Sequence, residues 1–128
     1  MTPYEIICHE LANEISINGE LTPPPYNENA NEIDKLTITY RYLLRAQRVK
    51  QRKKALVYAY YLGKIIEAKN LPIRTPKQII SEHYYQTSIR VYYIFELNPH
   101  QIEQTTSITL SLIRKLTSAE YRSLVIEL

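Results

Sequence analysis

Apolar positions recur along this chain at helical rather than strand spacing. Ile7, Leu11 and Ile15 lie four apart, with Glu5 ahead of them and Glu10 and Glu14 between them, the pattern of a short amphipathic helix. Thr2-Pro3 supplies a capping side chain followed by proline at the first helical position, and Gly19 suits the exit. From Asn31 to Lys69 no proline interrupts the chain. Ile33, Leu36, Tyr40, Leu43, Leu44, Tyr58, Tyr61, Leu62 and Ile65 fall within about one third of a helical wheel. This predicts one long helix, or two nearly continuous ones with the apolar stripe interrupted around Gln47–Gln51. Leu56 to Leu62 is apolar on every side and is expected to be the most buried stretch. Asn70-Leu71-Pro72 ends the pattern.

Thr75-Pro76 and Asn98-Pro99 repeat the cap-plus-proline start. The segment between them reaches about Leu97 and carries Ile79, Ile80, Tyr84, Ile89, Val91, Tyr92, Ile94 and Phe95. Its β-branched and aromatic end also fits a strand, but the caps and the length favour a helix. Thr117-Ser118-Ala119-Glu120 fits a capping box for a last helix holding Tyr121, Leu124 and Val125. The expected fold is all-α: a compact bundle of five or six helices with one long basic, amphipathic central helix. The chain divides into an acidic amphipathic helix over 1–19, a proline-rich linker over 20–31 and a helical core domain over 32–128. Three successive prolines, Pro23 to Pro25, forbid a helix and favour an extended, exposed linker.

The chain's 128 residues suit one domain that needs no disulfide or metal staple. A lone cysteine, Cys8, cannot form an internal disulfide, so nothing argues for secretion. The N-terminus lacks the basic start and apolar core of a signal peptide. The longest apolar run, Ala55 to Leu62, is far short of the roughly 20 residues that span a bilayer. A cytoplasmic or nuclear protein with no membrane partner is expected. His9, His83 and His100 are scattered and show no zinc spacing. With two glycines there is no glycine-rich phosphate loop, and no Ser–His–acid or Cys–His signature is present. No pair of carboxylates stands out for acid–base work. The chain is therefore read as non-catalytic and without a cofactor.

Charge changes the picture. Residues 1–34 carry −7, residues 35–90 carry +11 and residues 91–128 carry −1. The basic middle is densest from Arg41 to Lys54, with seven cations in fourteen residues and no acid. Arg41, Arg45, Arg48 and Arg52 would form one stripe on a continuous helix, assisted by Lys50, Lys53 and Lys54. Guanidinium groups fork hydrogen bonds onto phosphate oxygens, so this run is the candidate contact for a nucleic-acid backbone, DNA or RNA. The competing reading is a solvated face neutralised by Glu5, Glu10 and Glu14.

Three weaker features remain. Pro23-Pro24-Pro25-Tyr26 contains a PPxY sequence, a ligand pattern for WW domains, with Pro23, Pro24 and Tyr26 as partner-binding residues. Residues 98–116 have a partial helix-turn-helix look, with Thr109 and Ser111 near the start of the second helix; two core-forming helices explain the same residues. Twelve of thirteen aromatic residues are Tyr. Tyr58, Tyr60, Tyr61, Tyr84, Tyr85, Tyr92 and Tyr93 fit helix–helix seams, or stacking platforms where exposed. The leading functional expectation is a small nucleic-acid-associated protein or accessory subunit. The alternative is a protein–protein interaction module or homo-oligomer that uses the Tyr- and Ile-rich helices.

Overall fold

The computed structural model describes residues 1–12, 21–72 and 74–127. Every regular element among them is a helix, and together they form a compact bundle around one core. In chain order these are α1 (Pro3–Leu11), α2 (Glu32–Arg48), α3 (Arg52–Glu67), α4 (Thr75–Ile79), α5 (Glu82–Phe95), α6 (Gln101–Gln104), α7 (Leu110–Arg114) and α8 (Ser118–Glu127). The expected continuation of α1 through Glu14 and Ile15 to Gly19 lies outside the described residues. No helix among them is long and apolar enough to cross a membrane.

Local chemistry starts α1 and α8 where the sequence says it should, but the Thr75-Pro76 and Asn98-Pro99 starts do not cap as expected: Arg74 and His100 stand at the N-caps of α4 and α6, neither with a side-chain cap bond. Thr2 Oγ1 accepts from Glu5 N at 3.1 Å, with Pro3 opening α1. Asn31 and Asp34 cap α2 reciprocally: Asp34 N donates to Asn31 Oδ1 at 2.8 Å and Asn31 N to Asp34 Oδ2 at 3.3 Å. The Thr117–Glu120 capping box opens α8, with bonds of 2.9 and 3.1 Å.

The long central helix is two. α2 stops at Arg48 and α3 starts at Arg52, and the two pack along each other as a hairpin. Gln51 N donates to Ala46 O at 2.9 Å and Lys50 N to Gln47 O at 3.2 Å, the paired bonds of a Schellman cap. Such a cap needs a left-handed residue, and Lys50 takes that role with φ 59°. The segment expected to be one helix after Pro76 is also two. Ile80 turns extended (ψ 135°) and drops its side chain into the core, and Ser81 restarts the helix.

α3 is the middle of the bundle, packed on α2 from one side and α5 from the other. Leu56, Ala59 and Leu62 are fully buried, with Val57 and Tyr60 close behind, while Tyr58 and Tyr61 stay half-buried, so the apolar stretch is enclosed on most of its sides but not all. The crossing with α5 is tight. A Cβ at Gly63 would overlap Ser88 O and sit 2.7 Å from Tyr92 Cβ. Ser88 itself is buried, and its hydroxyl has no partner among the described residues. The Tyr-rich faces meet here internally, with Tyr60 and Tyr92 ring centroids 5.7 Å apart. Tyr93 donates to the Glu67 carboxylate; this bond, with burial, pushes its phenol up to about 12.

Smaller elements are pinned to this frame by polar groups. Half-buried Arg90 on α5 donates to Ile113 O at 3.1 Å and Leu116 O at 2.8 Å, and its guanidinium lies 5.0 Å from the Tyr121 ring centroid. It adds a donor to Ile113 O, which also accepts from Leu116 N at 3.3 Å, and reaches Leu116 O just beyond α7. On α1, Ile7 enters the core and Glu10 Oε1 accepts from Thr106 Oγ1 at 2.9 Å and Ser107 N at 2.9 Å. Burial raises the Glu10 carboxyl, but these bonds outweigh it, so its pKa lies below the usual 4.5.

The proline segment is a strap rather than an exposed linker. Leu21 and Pro24 are buried, and Tyr61 OH donates to Leu21 O at 2.9 Å. Thr39 Oγ1 gives its one proton to Lys35 O at 2.6 Å. The 2.6 Å contact between Tyr26 OH and Thr39 Oγ1 must therefore run from the phenol to the threonine.

Three stability outcomes follow from this packing. Gly63→Ala should lose about 1–3 kcal/mol in urea denaturation, because backbone cannot yield to the new methyl. Ser88→Ala at the same crossing should be neutral or gain about 1 kcal/mol, since it removes an unpaired hydroxyl; a loss like that of Gly63→Ala would show the crossing is not limited by size. Lys50→Gly should gain up to about 1 kcal/mol by relieving a left-handed residue with a side chain, whereas Lys50→Val should lose stability. Glu10 has a depressed folded pKa, so its contribution is present above 4.5 and lost as pH falls through the folded value. Thermal melts of Glu10→Gln should show lower stability at neutral pH and a flatter response to acid than the parent.

Candidate nucleic-acid interface

The turn between α2 and α3 changes where the basic run sits. Arg41, Arg45 and Arg48 remain one stripe on α2, spaced four and three apart. Arg52 is not part of it, because the left-handed Lys50 ends α2 before the stripe can reach it. The four-arginine row expected on a continuous helix is replaced by a cluster around a hairpin tip. Lys50 sits in the turn, and Arg52, Lys53 and Lys54 open α3 behind it.

Arg41, Arg45, Arg48, Lys50, Arg52, Lys53 and Lys54 are all exposed. Lys53 has a structural task, since its Nζ donates to Glu103 O at 2.7 Å and closes the end of α6. None of the other six forms an ion pair among the described residues, where the one ion pair is Lys35–Glu32 at 3.6 Å. The acids expected as their counterions are engaged elsewhere: Glu5 accepts from Thr2, and Glu10 holds Thr106 and Ser107. Glu14 lies outside the described residues.

Two hollows flank the tip. One, of about 340 Å³, lies between α2 and α3 and is lined by Tyr42, Arg45, Ala46, Val49, Gln51, Lys54 and Tyr58. The other, of about 560 Å³, lies on the far side of α3 and is lined by Thr22 of the strap, Lys53, Lys54, Val57, Tyr58 and Glu103. Lys54 and Tyr58 line both, so they form the ridge between them. One helical turn separates these two residues, so they share one face of α3. Tyr42 leans on Tyr58 across the hairpin, with centroids 5.5 Å apart and planes inclined at 57°. Neither hydroxyl is hydrogen-bonded among the described residues. Val49 at the turn is 53% exposed, an apolar spot set among cations.

Tyr42, Val49 and Gln51 line the hollow beside the basic tip and were passed over by sequence reasoning. The partnership of Tyr42 with Tyr58 exists only once the hairpin closes, so no local spacing announces it.

The other sequence candidates fall elsewhere. Pro23 is exposed, but Pro24 is buried and Tyr26 is half-buried with its hydroxyl on Thr39 and Lys35 Nζ 5.9 Å from its ring. Burial raises the Tyr26 phenol. A WW domain could take this segment only after it left α2. The helices of residues 98–116 belong to the core: Ile102, Ile108, Leu110, Ile113 and Leu116 are buried. Thr109 caps α7, accepting from Leu112 N at 3.2 Å, and α7 has only five residues.

A separate hollow of about 370 Å³ by α5 is lined by Glu82, His83, Gln86, Thr87, Arg90 and Arg114. Most of its polar groups are occupied locally: Gln86 donates to Glu82, Thr87 to His83 O, and Arg90 to α7. Burial, and then the Arg114 charge, lower the His83 imidazole, which keeps it neutral at physiological pH. No group of three or more His, Cys, Asp or Glu among the described residues is placed to hold a metal ion.

Compared with protein-family models, with curated proteins and with solved structures, this chain matches none of them.

Proposed function

We propose that this protein is a small, non-catalytic nucleic-acid-binding protein or accessory subunit, acting in the cytoplasm or nucleus, that holds the phosphate backbone against its α2–α3 hairpin tip. The observation that carries this reading is the set of six cations, Arg41, Arg45, Arg48, Lys50, Arg52 and Lys54, exposed and without ion pairs among the described residues. Had Glu5 and Glu10 covered them, the run would be internal charge balance. They do not. The arginines suit phosphate because each offers two parallel donors, and they are spread over two helices and a turn rather than one line. Such a surface recognises charge and spacing, not sequence.

Fluorescence anisotropy with labelled DNA and RNA tests this. Binding should be clear at about 50 mM salt and fall roughly a hundredfold by about 200 mM if four phosphates are neutralised. Arg45→Glu with Arg48→Glu should abolish most of it while leaving the melting temperature within a few degrees. Absence of binding at the lower salt, or an unchanged affinity in the double variant, sinks the proposal.

A further inference from the structure

We infer that the ridge formed by Lys54 and Tyr58 seats unpaired bases, so the hairpin tip selects single-stranded over double-stranded nucleic acid. The inference rests on the phosphate-binding reading above and names the form of polymer that the same site takes.

Shape is the first reason. Two packed helices lie about 8–10 Å apart and each is about 10–12 Å across, so the tip is about 20 Å wide. The major groove of a duplex is about 12 Å wide. The hairpin cannot enter it as a unit, and a duplex, whose bases stay stacked and paired, leaves both hollows unused. A single strand can lower its bases into them.

Chemistry is the second. The hollows hold about 340 and about 560 Å³, each roomy enough for a base. Between them stands a ring, Tyr58, with an ammonium one turn away on Lys54 and a guanidinium, Arg45, across the hairpin. Single-strand sites combine an aromatic platform with cations that track the backbone in this way. Tyr42 braces the platform from α2, and both phenols are free, among the described residues, to donate to a sugar or phosphate oxygen. Glu103 at the rim of the larger hollow is an acceptor that bases with exocyclic amines can meet and that repels phosphate, which places the backbone on the Lys54 side. The stacking face is the same for DNA and RNA.

The test uses the full chain and strands of one sequence, as single-stranded DNA, single-stranded RNA and the matching duplexes, at about 50 mM salt. At least one single strand should bind about fivefold or more tighter than its duplex. Tyr58→Leu should erase that preference, roughly a tenfold loss on the single strand with duplex binding retained, and Tyr58→Phe should keep it. Ultraviolet cross-linking of a 5-bromouracil strand to the unaltered protein should mark the peptide carrying Tyr58, a readout that needs no variant to fold. Equal affinity for single strands and duplexes overturns the inference and leaves phosphate binding standing. A preference that survives Tyr58→Leu in a folded variant, or cross-links that avoid both Tyr42 and Tyr58, also overturns it. Failure to bind any strand removes both readings together.

Discussion

The close approach of α3 and α5 at Gly63 is the constraint on which the rest of the molecule hangs. No side chain separates the two backbones there, and Ser88 opposite contributes smallness rather than a hydrogen bond. Contact at this distance lets Leu56, Leu62, Val91, Ile94 and Phe95 close into one core, where dense packing converts area into stability. α3 is thereby enclosed on the α5 side, and α2 completes its cover. The remaining pieces are short; buried Ile102, Ile108, Leu110 and Ile113 seat them in the core, and polar anchors fix their ends: Arg90 beside α7, Lys53 at α6, Glu10 at the loop before α7.

These anchors also sort the cations by role. Arg90 and Lys53 donate to carbonyl oxygens at helix ends, where backbone partial charge offsets theirs. They count towards the +11 of the middle segment while also holding the fold together. The exposed cations gather at the hairpin tip, where none but Lys53 is tied to the fold and none forms an ion pair among the described residues, so a modest net charge conceals an uneven surface.

Much of this was legible in the chain, and the exceptions have physical causes. Helical periodicity, the Thr2-Pro3 start and the Thr117–Glu120 box are local signals, and the structure follows them. The turn after Arg48 is not a local signal, because the left-handed position that usually asks for glycine or asparagine is filled by Lys50. Only the interruption of the apolar stripe hinted at it. Missing that turn turns a clustered tip into a linear stripe and hides the pairing of Tyr42 with Tyr58. The proline segment misleads for a different reason. Its composition forbids a helix, which is correct, but whether an extended segment is free or strapped down depends on what Leu21, Pro24 and Tyr26 find nearby. Thr39 and Tyr61, which hold it, are far away in sequence.

The Schellman turn and the Gly63 crossing sit at the two ends of one uninterrupted helix. Counting along it, Lys54 and Tyr58 lie nine and five residues before Gly63. One inserted or deleted residue in that interval turns everything ahead of it by about 100° relative to everything behind. Either the crossing would lose its glycine or the ridge would swing away from its two hollows. The segment from Lys54 to Gly63 is therefore held to a fixed length as well as to the side chains its core face buries. Divergent relatives of this protein should gain and lose residues in the connections on either side of α4 and after α5, while keeping this ten-residue interval in phase.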